Sequence, residues 1–424
     1  MSEVAQAPHS SPDGHSPQLR LPEFSGNWEE VPFYDCLNDI LDFRGRTPLK
    51  IGMDWGGGNI ISLSANNVKN GYIDFNAECH LGSGELYEKW MGKVKLVKND
   101  IVFTMEAPLG KALLVPDDKR YILSQRVVAF KTKDYIDNLY FIQLIWSNKF
   151  QNTVDRLSTG STAKGINQKS LKKVFVNIPL KPEQQKIAAF LTEVDTKIEQ
   201  LSKKQELLGE YKKGLMQQIF SQVIRFKADD GCDFPDWEEK KLGGIGSFYR
   251  GHTYNSTNVK NNGLLVLRSS NIKNDKLVLD KDLQFVDKIC SDKISLRTDD
   301  IVICMANGSK HLVGKSGVYY GDYDNKLTVG AFCSIFRTDN KLSKYILQTV
   351  QYKRYLHILL AGTNINNLKN SELAELKFNL PVSINEQTKI ANFLSSIDSK
   401  IEQVSKQLVE SKQFKKALLQ QMFV

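Results

Sequence analysis

Residues 183–204 read EQQKIAAFLTEVDTKIEQLSKK, and residues 386–407 read EQTKIANFLSSIDSKIEQVSKQ. The likeness runs on without a gap to YKKGLMQQIF at 211–220 and FKKALLQQMF at 414–423. Between 183–220 and 386–423, 20 of 38 positions are identical at a constant offset of 203. A repeat this long in a 424-residue chain means one unit written twice, and two equivalent copies favour pseudo-two-fold symmetry. Ile187, Val194, Leu201, Leu208 and Leu215 recur every seven residues, with Leu191, Ile198 and Ile219 on the interleaved register. The second copy repeats the pattern with Ile390, Ile397, Val404 and Leu418, interleaved with Leu394, Ile401, Leu408 and Met422. Alternating three- and four-residue spacing is a coiled-coil seam. A helix of about 40 residues is ~60 Å long and cannot bury such a stripe alone. Its own copy is the obvious partner, although two separate helices binding other proteins would carry the same stripe. Gln205, Lys212, Ser411 and Lys415 interrupt the seam. They either set the register or mark where a partner seats. Pro182 suits a first helical turn, and Ser383 with Glu386 fits a capping box.

Working outward, fainter pairs flank the helices. Leu19-Arg20-Leu21, Phe24 and Trp28-Glu29-Glu30 match Ile224-Arg225-Phe226, Phe234 and Trp237-Glu238-Glu239. Arg44-Gly45-Arg46-Thr47 matches Arg250-Gly251-His252-Thr253, and Asp100-Ile101-Val102 matches Asp300-Ile301-Val302. Ser64 to Asn70 resembles Ser269 to Asn274, and Gly110-Lys111 resembles Gly314-Lys315. Residues 160–179 align with 362–381, whereas 72–98 and 276–298 share little. Each unit is therefore a globular segment followed by a long helix. β-Branched runs at Val94–Val97, Ile101–Thr104, Leu264–Leu267 and Ile301–Cys304, bounded by Gly, Asn and Asp, are expected to be strands. Asn138–Asn148 and Lys344–Leu360 are expected to be helical. The fold class is α+β. The expected divisions are a disordered tail over 1–18, a globular domain over 19–181, a helical spacer over 182–226, a second domain over 227–382 and a final helical region over 383–424.

Composition narrows the function classes. No apolar run of 18 residues exists to span a membrane, and the first residues lack an apolar signal-peptide core. Six scattered cysteines with no C-x-x-C pair argue against a zinc site or a disulfide framework and for a reducing cytoplasm. A formal charge of +9 suits a polyanionic partner. Gly314-Lys315-Ser316 resembles the end of a phosphate-binding loop, but such a loop needs glycine at 309, where Ser309 stands. A structural turn after a strand is the better reading. No two prolines adjoin, so no Pro-Pro-aromatic loop can grip a flipped amino base, and no G-x-G-x-x-G follows a strand. Pro116-Asp117 and Glu238-Glu239-Lys240 are too scattered for a nuclease's metal-holding carboxylates. The six histidines are equally dispersed.

Side chains suited to DNA are plentiful. Arg44, Arg46, Arg250 and His252 lie in the same Gly-containing turn of each half. Arginine can address guanine bidentately or grip phosphate. Ser161, Thr162, Lys164 and Asn167 precede the first long helix, and Thr363, Asn364 and Asn366 precede the second. Asparagine can read adenine, while small donors and lysine suit phosphates. Asn66, Lys69, Arg268, Asn271 and Lys273 form a third, weaker set. Each group has a competing structural reading, as a strand connection or as a cap feeding the helix.

The order of these pieces resembles the specificity subunit of type I restriction-modification enzymes. It runs from the Trp-Glu-Glu entry through the R-G-[RH]-T turn, the Asp-Ile-Val strand and E-Q-x-K-I-A-x-F-L-x-x-[VI]-D-x-K-I-E-Q to K-K-[GA]-L-[ML]-Q-Q-[IM]-F. The resemblance covers 19–423. It implies two target-recognition domains, each reading half of a bipartite double-stranded DNA site. It also implies two long helices packed as an antiparallel coiled coil that sets the gap. One copy of the chain would serve two modification (methyltransferase) and two restriction (helicase-nuclease) subunits. The chain itself would hold no cofactor and would not be catalytic; S-adenosylmethionine, ATP and Mg²⁺ would be used by the partners. A self-contained modification enzyme and a coiled-coil scaffold without DNA function are the competing classes. Activity of the purified chain would reveal the first, and loss of salt-dependent DNA binding the second.

Overall fold

The computed structural model describes residues 16–361 and 366–423. Two compact units emerge, one of Met1–Lys203 with Ser405–Val424 and the other of Lys204–Val404. In the first, Leu37–Asp42, Val127–Thr132, Ile101–Thr104 and Ala112–Leu114 form an antiparallel sheet in that order. Its inner strand Ile101–Thr104 is buried on both faces, which is why it reads as a continuous apolar run, whereas the edge strand Leu37–Asp42 exposes Asn38 and Asp39. Ile101, Phe103, Val128 and Phe130 enter one core, with Phe33, Tyr140, Phe141 and Ile145. Val102, Val127 and Ala129, one residue out of phase, enter another, with Leu63, Trp90 and Ile122. The second core lies under a smaller sheet of Leu81–Gly82, Ile60–Leu63 and Tyr121–Leu123, the last two parallel.

The second unit repeats this plan. Ser247–Arg250, Cys333–Arg337, Ile301–Cys304 and Ser316–Val318 lie side by side, and Leu264–Leu267 pairs in parallel with Leu327–Val329. Ile301 and Ile303 face one core; Val302 and Cys304 face the other. The dissimilar middles fold differently. The first unit places helix Gly84–Met91 there, burying Leu86, Tyr87, Trp90 and Met91. The second uses short strands at Lys276–Leu277 and Phe285–Val286.

Both Trp-Glu-Glu segments become edge strands. Glu29–Pro32 pairs antiparallel with Phe175–Ile178, and Glu238–Lys241 with Lys377–Leu380, so the chain enters and leaves each unit on a two-stranded ribbon. The long helices follow directly, at Lys181–Phe220 and Ile384–Met422. A buried carboxylate locks each helix start to its ribbon. Glu183 accepts hydrogen bonds from Arg20 Nε and Nη2 at 2.7 Å each and from Trp28 Nε1 at 3.2 Å. Glu386 accepts from Arg225 at 3.2 Å and from Trp237 Nε1 at 3.1 Å.

Within the first unit, Ile187, Ala188 and Leu191 from the start of one helix share a core with Leu418, Met422 and Phe423 from the end of the other. Within the second, Met216 and Ile219 share a core with Ile390, Ala391 and Leu394. Two of the polar seam residues have partners that favour the register reading. Lys415 pairs with Asp195 at 2.5 Å and lies 4.5 Å over the Trp146 ring. Its counterpart Lys212 pairs with Asp398 at 2.7 Å and bonds Gln348 Oε1 at 2.8 Å. Tyr345 donates to Asp398, and burial together with that carboxylate pushes its hydroxyl pKa well up.

Two local expectations need correction. Val94–Val97 is not a strand. The Asp100 carboxylate accepts from the Val97 N–H, Asp100 N–H returns to the Val97 carbonyl, and the segment turns instead of joining a ladder. Only half of the capping box at Ser383 forms: Ser383 Oγ accepts from Glu386 N at 3.4 Å, but the glutamate carboxylate goes to Arg225 and Trp237.

Candidate nucleic-acid interface

Parallel strands end on the same side, so the loops leaving them are brought together. In the first unit these are the loops after Leu63 and Leu123, tied by Ser124 N–H to the Leu63 carbonyl at 2.9 Å. In the second they follow Leu267 and Val329, tied by Gly330 N–H to the Leu267 carbonyl at 2.8 Å. Two further loops join them. Met105 N–H bonds the Arg126 carbonyl at 2.8 Å, and Ile166 N–H bonds the Met105 carbonyl at 2.8 Å. The second unit matches this with Met305 to Phe332 and Leu368 to Met305, both 2.8 Å. The loops preceding the long helices are thus bridged to the Asp-Ile-Val strands through Glu106–Gly165 and Ala306–Asn367.

The R-G-[RH]-T turns flank this cluster. Gln125 Nε2 reaches the Arg46 carbonyl, and His252 N–H bonds the Val329 carbonyl at 2.7 Å. The two glycines answer different needs. Gly45 has φ +84°, while a methyl group on Gly251 would lie 2.2 Å from the Gly330 carbonyl oxygen.

Several expected contact residues are engaged within the fold. Arg44 grips Asp42 at 2.5 Å, and Asp42 also accepts from Gln168 at 2.7 Å, joining the turn to the 160–168 loop. Burial raises the Asp42 pKa, but hydrogen bonds from Arg44 and Gln168 outweigh it and hold the carboxyl below its ordinary value. Arg46 donates to the Trp90 carbonyl and lies over Phe43, yet stays largely exposed. Asn167 caps helix Gln168–Leu171. Asn271 is fully buried, accepting from Arg268 N–H and donating to Val278 and Lys281 carbonyls. Asn67, not Asn66, holds the matching place in the first unit. The His252 Nε2 is buried with no hydrogen-bond partner.

Other expected residues face outward. Ser161, Thr162 and Arg250 are exposed, and Lys164 pairs with Asp155 at 2.6 Å across the surface. Asn66 is exposed and its carbonyl accepts from Lys69 Nζ. Arg268 reaches the Asp282 carbonyl, Lys273 is exposed on its short strand, and Asn366 donates to the Gly308 carbonyl. Thr363 and Asn364 lie outside the described residues. Gly110 and Gly314 sit in hairpin turns, each donating back to its strand at Thr104 or Cys304, as a structural turn requires.

Residues missed in the sequence complete the cluster: Gln125, Arg126 and Glu106 in one unit, Phe332 and Asn307 in the other. Asn307 Nδ2 bonds Ser269 Oγ at 3.1 Å, which brings the loop after Leu267 into the group. Among the described residues no helix is long and apolar enough to cross a membrane.

The sequence model of the family described as type I restriction modification DNA specificity domain matches this chain twice, at residues 27–208 and 235–411. The chain is 27% identical over 427 residues to the MjaVIII specificity subunit of a type I restriction enzyme from Methanocaldococcus jannaschii, covering 95% of this chain and 92% of that one. It is 30% identical over 196 residues to the StySPI specificity subunit from Salmonella potsdam, covering 43% and 42% respectively. In fold it is similar to the S subunit of the type I restriction-modification system of M. genitalium, with TM-score 0.58 and 18% identity over 96% of this chain and 99% of that one. The doubled sequence, the doubled loop cluster and the doubled family match agree: the chain belongs to the specificity subunits of type I restriction-modification systems.

Proposed function

We propose that this chain is the non-catalytic DNA-reading subunit of a type I restriction-modification complex, and that each unit reads one half of a bipartite, asymmetric site. One observation carries this reading. The same cluster of loops, tied by the same backbone hydrogen bonds, occurs in both units with different side chains at its tips. A shared frame with divergent tips is what two readers of different sequences need, because base edges are distinguished by side-chain donors, acceptors and methyl contacts.

The recognition domains span 19–181 and 227–382, with helical regions at 182–226 and 383–424. The long helices pack as an antiparallel coiled coil about a pseudo-two-fold axis. Support comes from the start-to-end core sharing in each unit and from the twin pairs Lys415–Asp195 and Lys212–Asp398. At ~60 Å, against a DNA turn of about 34–36 Å, these helices serve as the ruler between half-sites. Tyr211 and Phe414, exposed at equivalent places, suit one docking surface presented twice to two modification subunits. Two restriction subunits complete the assembly around one copy of this chain in the cytoplasm. S-adenosylmethionine, ATP and Mg²⁺ act in the partners.

The test is methylome sequencing of cells carrying the assembled complex. Replacing 19–181 with another recognition domain is expected to change one half-site and leave the other intact; a change in both would refute domain autonomy. Four residues inserted in one long helix, matched in the other, should lengthen the unread gap alone. An unchanged gap would refute the ruler.

A further inference from the structure

The backbone equivalence of the two loop clusters allows side chains to be compared where the sequences share nothing. The loop joining the parallel strand to the next strand has three residues in each unit, Ser124-Gln125-Arg126 and Gly330-Ala331-Phe332. Its first residue bonds the neighbouring parallel strand in both, and its last accepts from Met105 or Met305. The strands that follow pair Val127 with Thr104 and Cys333 with Cys304. Arg126 and Phe332 therefore occupy one position. Both are exposed, the phenylalanine to 71% and the arginine side chain to 53%.

We propose that this position is a specificity-determining one, and that the two units use it with opposite chemistry. Arg126 reads a guanine edge in one half-site; Phe332 makes apolar contact with a thymine methyl group in the other. The inference rests on the DNA-reading function proposed above.

Three observations bear on it. Arg126 holds φ +67°, a conformation a non-glycine residue adopts at a cost and one that Phe332 does not share, so the two units keep the same hydrogen bonds here but not the same backbone twist. Its nearest carboxylate, Glu106, stands 4.0 Å away with both side chains about half exposed, close enough to orient the guanidinium without saturating its fork. In the second unit alanine replaces that glutamate: Ala306 holds the equivalent bridge position, so the ring of Phe332 has no charged neighbour there. Guanine offers two acceptors to a fork, and thymine is the base that presents a methyl group in the major groove.

The experiment uses the full chain assembled with its modification partners and a DNA library randomised across both half-sites. R126A is expected to lower discrimination at one guanine by about tenfold and to leave the salt slope of binding nearly unchanged, because that slope counts phosphate contacts and not base contacts. R126K keeps the charge but loses the fork, so it should keep the slope and lose the discrimination. F332A should relax one thymine in the other half-site about fivefold with the slope unchanged. Circular dichroism confirms that each variant folds, as expected for exposed side chains. Wild-type preference at every position in R126A and F332A overturns the assignment, as does uniform weakening on all sequences. If the wild-type complex shows no preference in either half-site, the DNA-reading function itself falls and takes this inference with it.

Discussion

Replacing Arg20 with methionine tests how each long helix is held to its domain. Arg20 gives Glu183 two charge-assisted hydrogen bonds of 2.7 Å and also reaches the carbonyls of Ser25 and Gly26. The Glu183 side chain is only 3% exposed, so removing its partner strands a charge with a single Trp28 N–H. Breaking such a buried pair costs about 3–5 kcal/mol. Arg20 is itself 17% exposed, and water can partly replace it, which lowers the expectation to about 2–4 kcal/mol. At 1.4 kcal/mol per decade, that is about 30- to 700-fold faster hydrogen exchange at the ribbon and first helical turns. The assay is exchange by mass spectrometry on peptides from 26–34 and 175–190. The double variant Arg20→Met, Glu183→Gln removes both charges and should recover at least half of the loss. Exchange within about threefold of wild type, or a double variant no better than the single, would refute the argument. The twin Arg225→Met should behave alike but more mildly, since its contacts to Glu386 are 3.2 Å.

Three further outcomes are expected. Lys415→Met removes the Asp195 pair but leaves that carboxylate its Gln143 bond of 2.9 Å, so the loss should be about 1 kcal/mol, with Lys212→Met similar; thermal unfolding measures both. Gly251→Ala forces its turn away from the Gly330 carbonyl and should cost about 1–3 kcal/mol in denaturant unfolding, whereas Gly45→Ala meets open space and loses only through its positive φ. For Asp42, whose folded pKa is depressed, the stabilisation is fully present above the unfolded value near about 4. It is lost as pH falls through the folded value, so an acid titration by NMR should open the 42–46 turn only at the acid end, and Asp42→Asn should abolish that dependence.

The long helices were legible because an apolar seven-residue spacing fits a helical seam and suits neither a strand nor a loop. The strand Ile101–Thr104 was legible because both its faces are apolar. Val94–Val97 misled for the same reason: β-branched residues mark a buried strand, but Leu96 fills the core from a turn. Arg44 looked available in sequence although Asp42, two residues earlier, was positioned to take it. Asn271 looked like a reader because its amide suits a base, and only burial reveals that the loop uses it. Arg126 and Phe332 escaped notice because matching the two copies rewards sameness. If the two units read different sequences as proposed, they must differ where they touch the base, and such positions are silent in a comparison of repeats.

The ribbon at the mouth of each globular unit has an evolutionary consequence. Inlet and outlet lie side by side, clamped by Arg20–Glu183–Trp28 and again by Arg225–Glu386–Trp237. Among the described residues, the chain from Phe33 to Val174 leaves and returns to that clamp, as does the chain from Leu242 to Leu376. An excursion grafted within the ribbon keeps the clamp, but it must also supply the partners the helices use, as Gln143 does for Asp195 and Tyr345 for Asp398. On the proposed function, a lineage built this way would gain new targets by exchanging the excursion while keeping the helices.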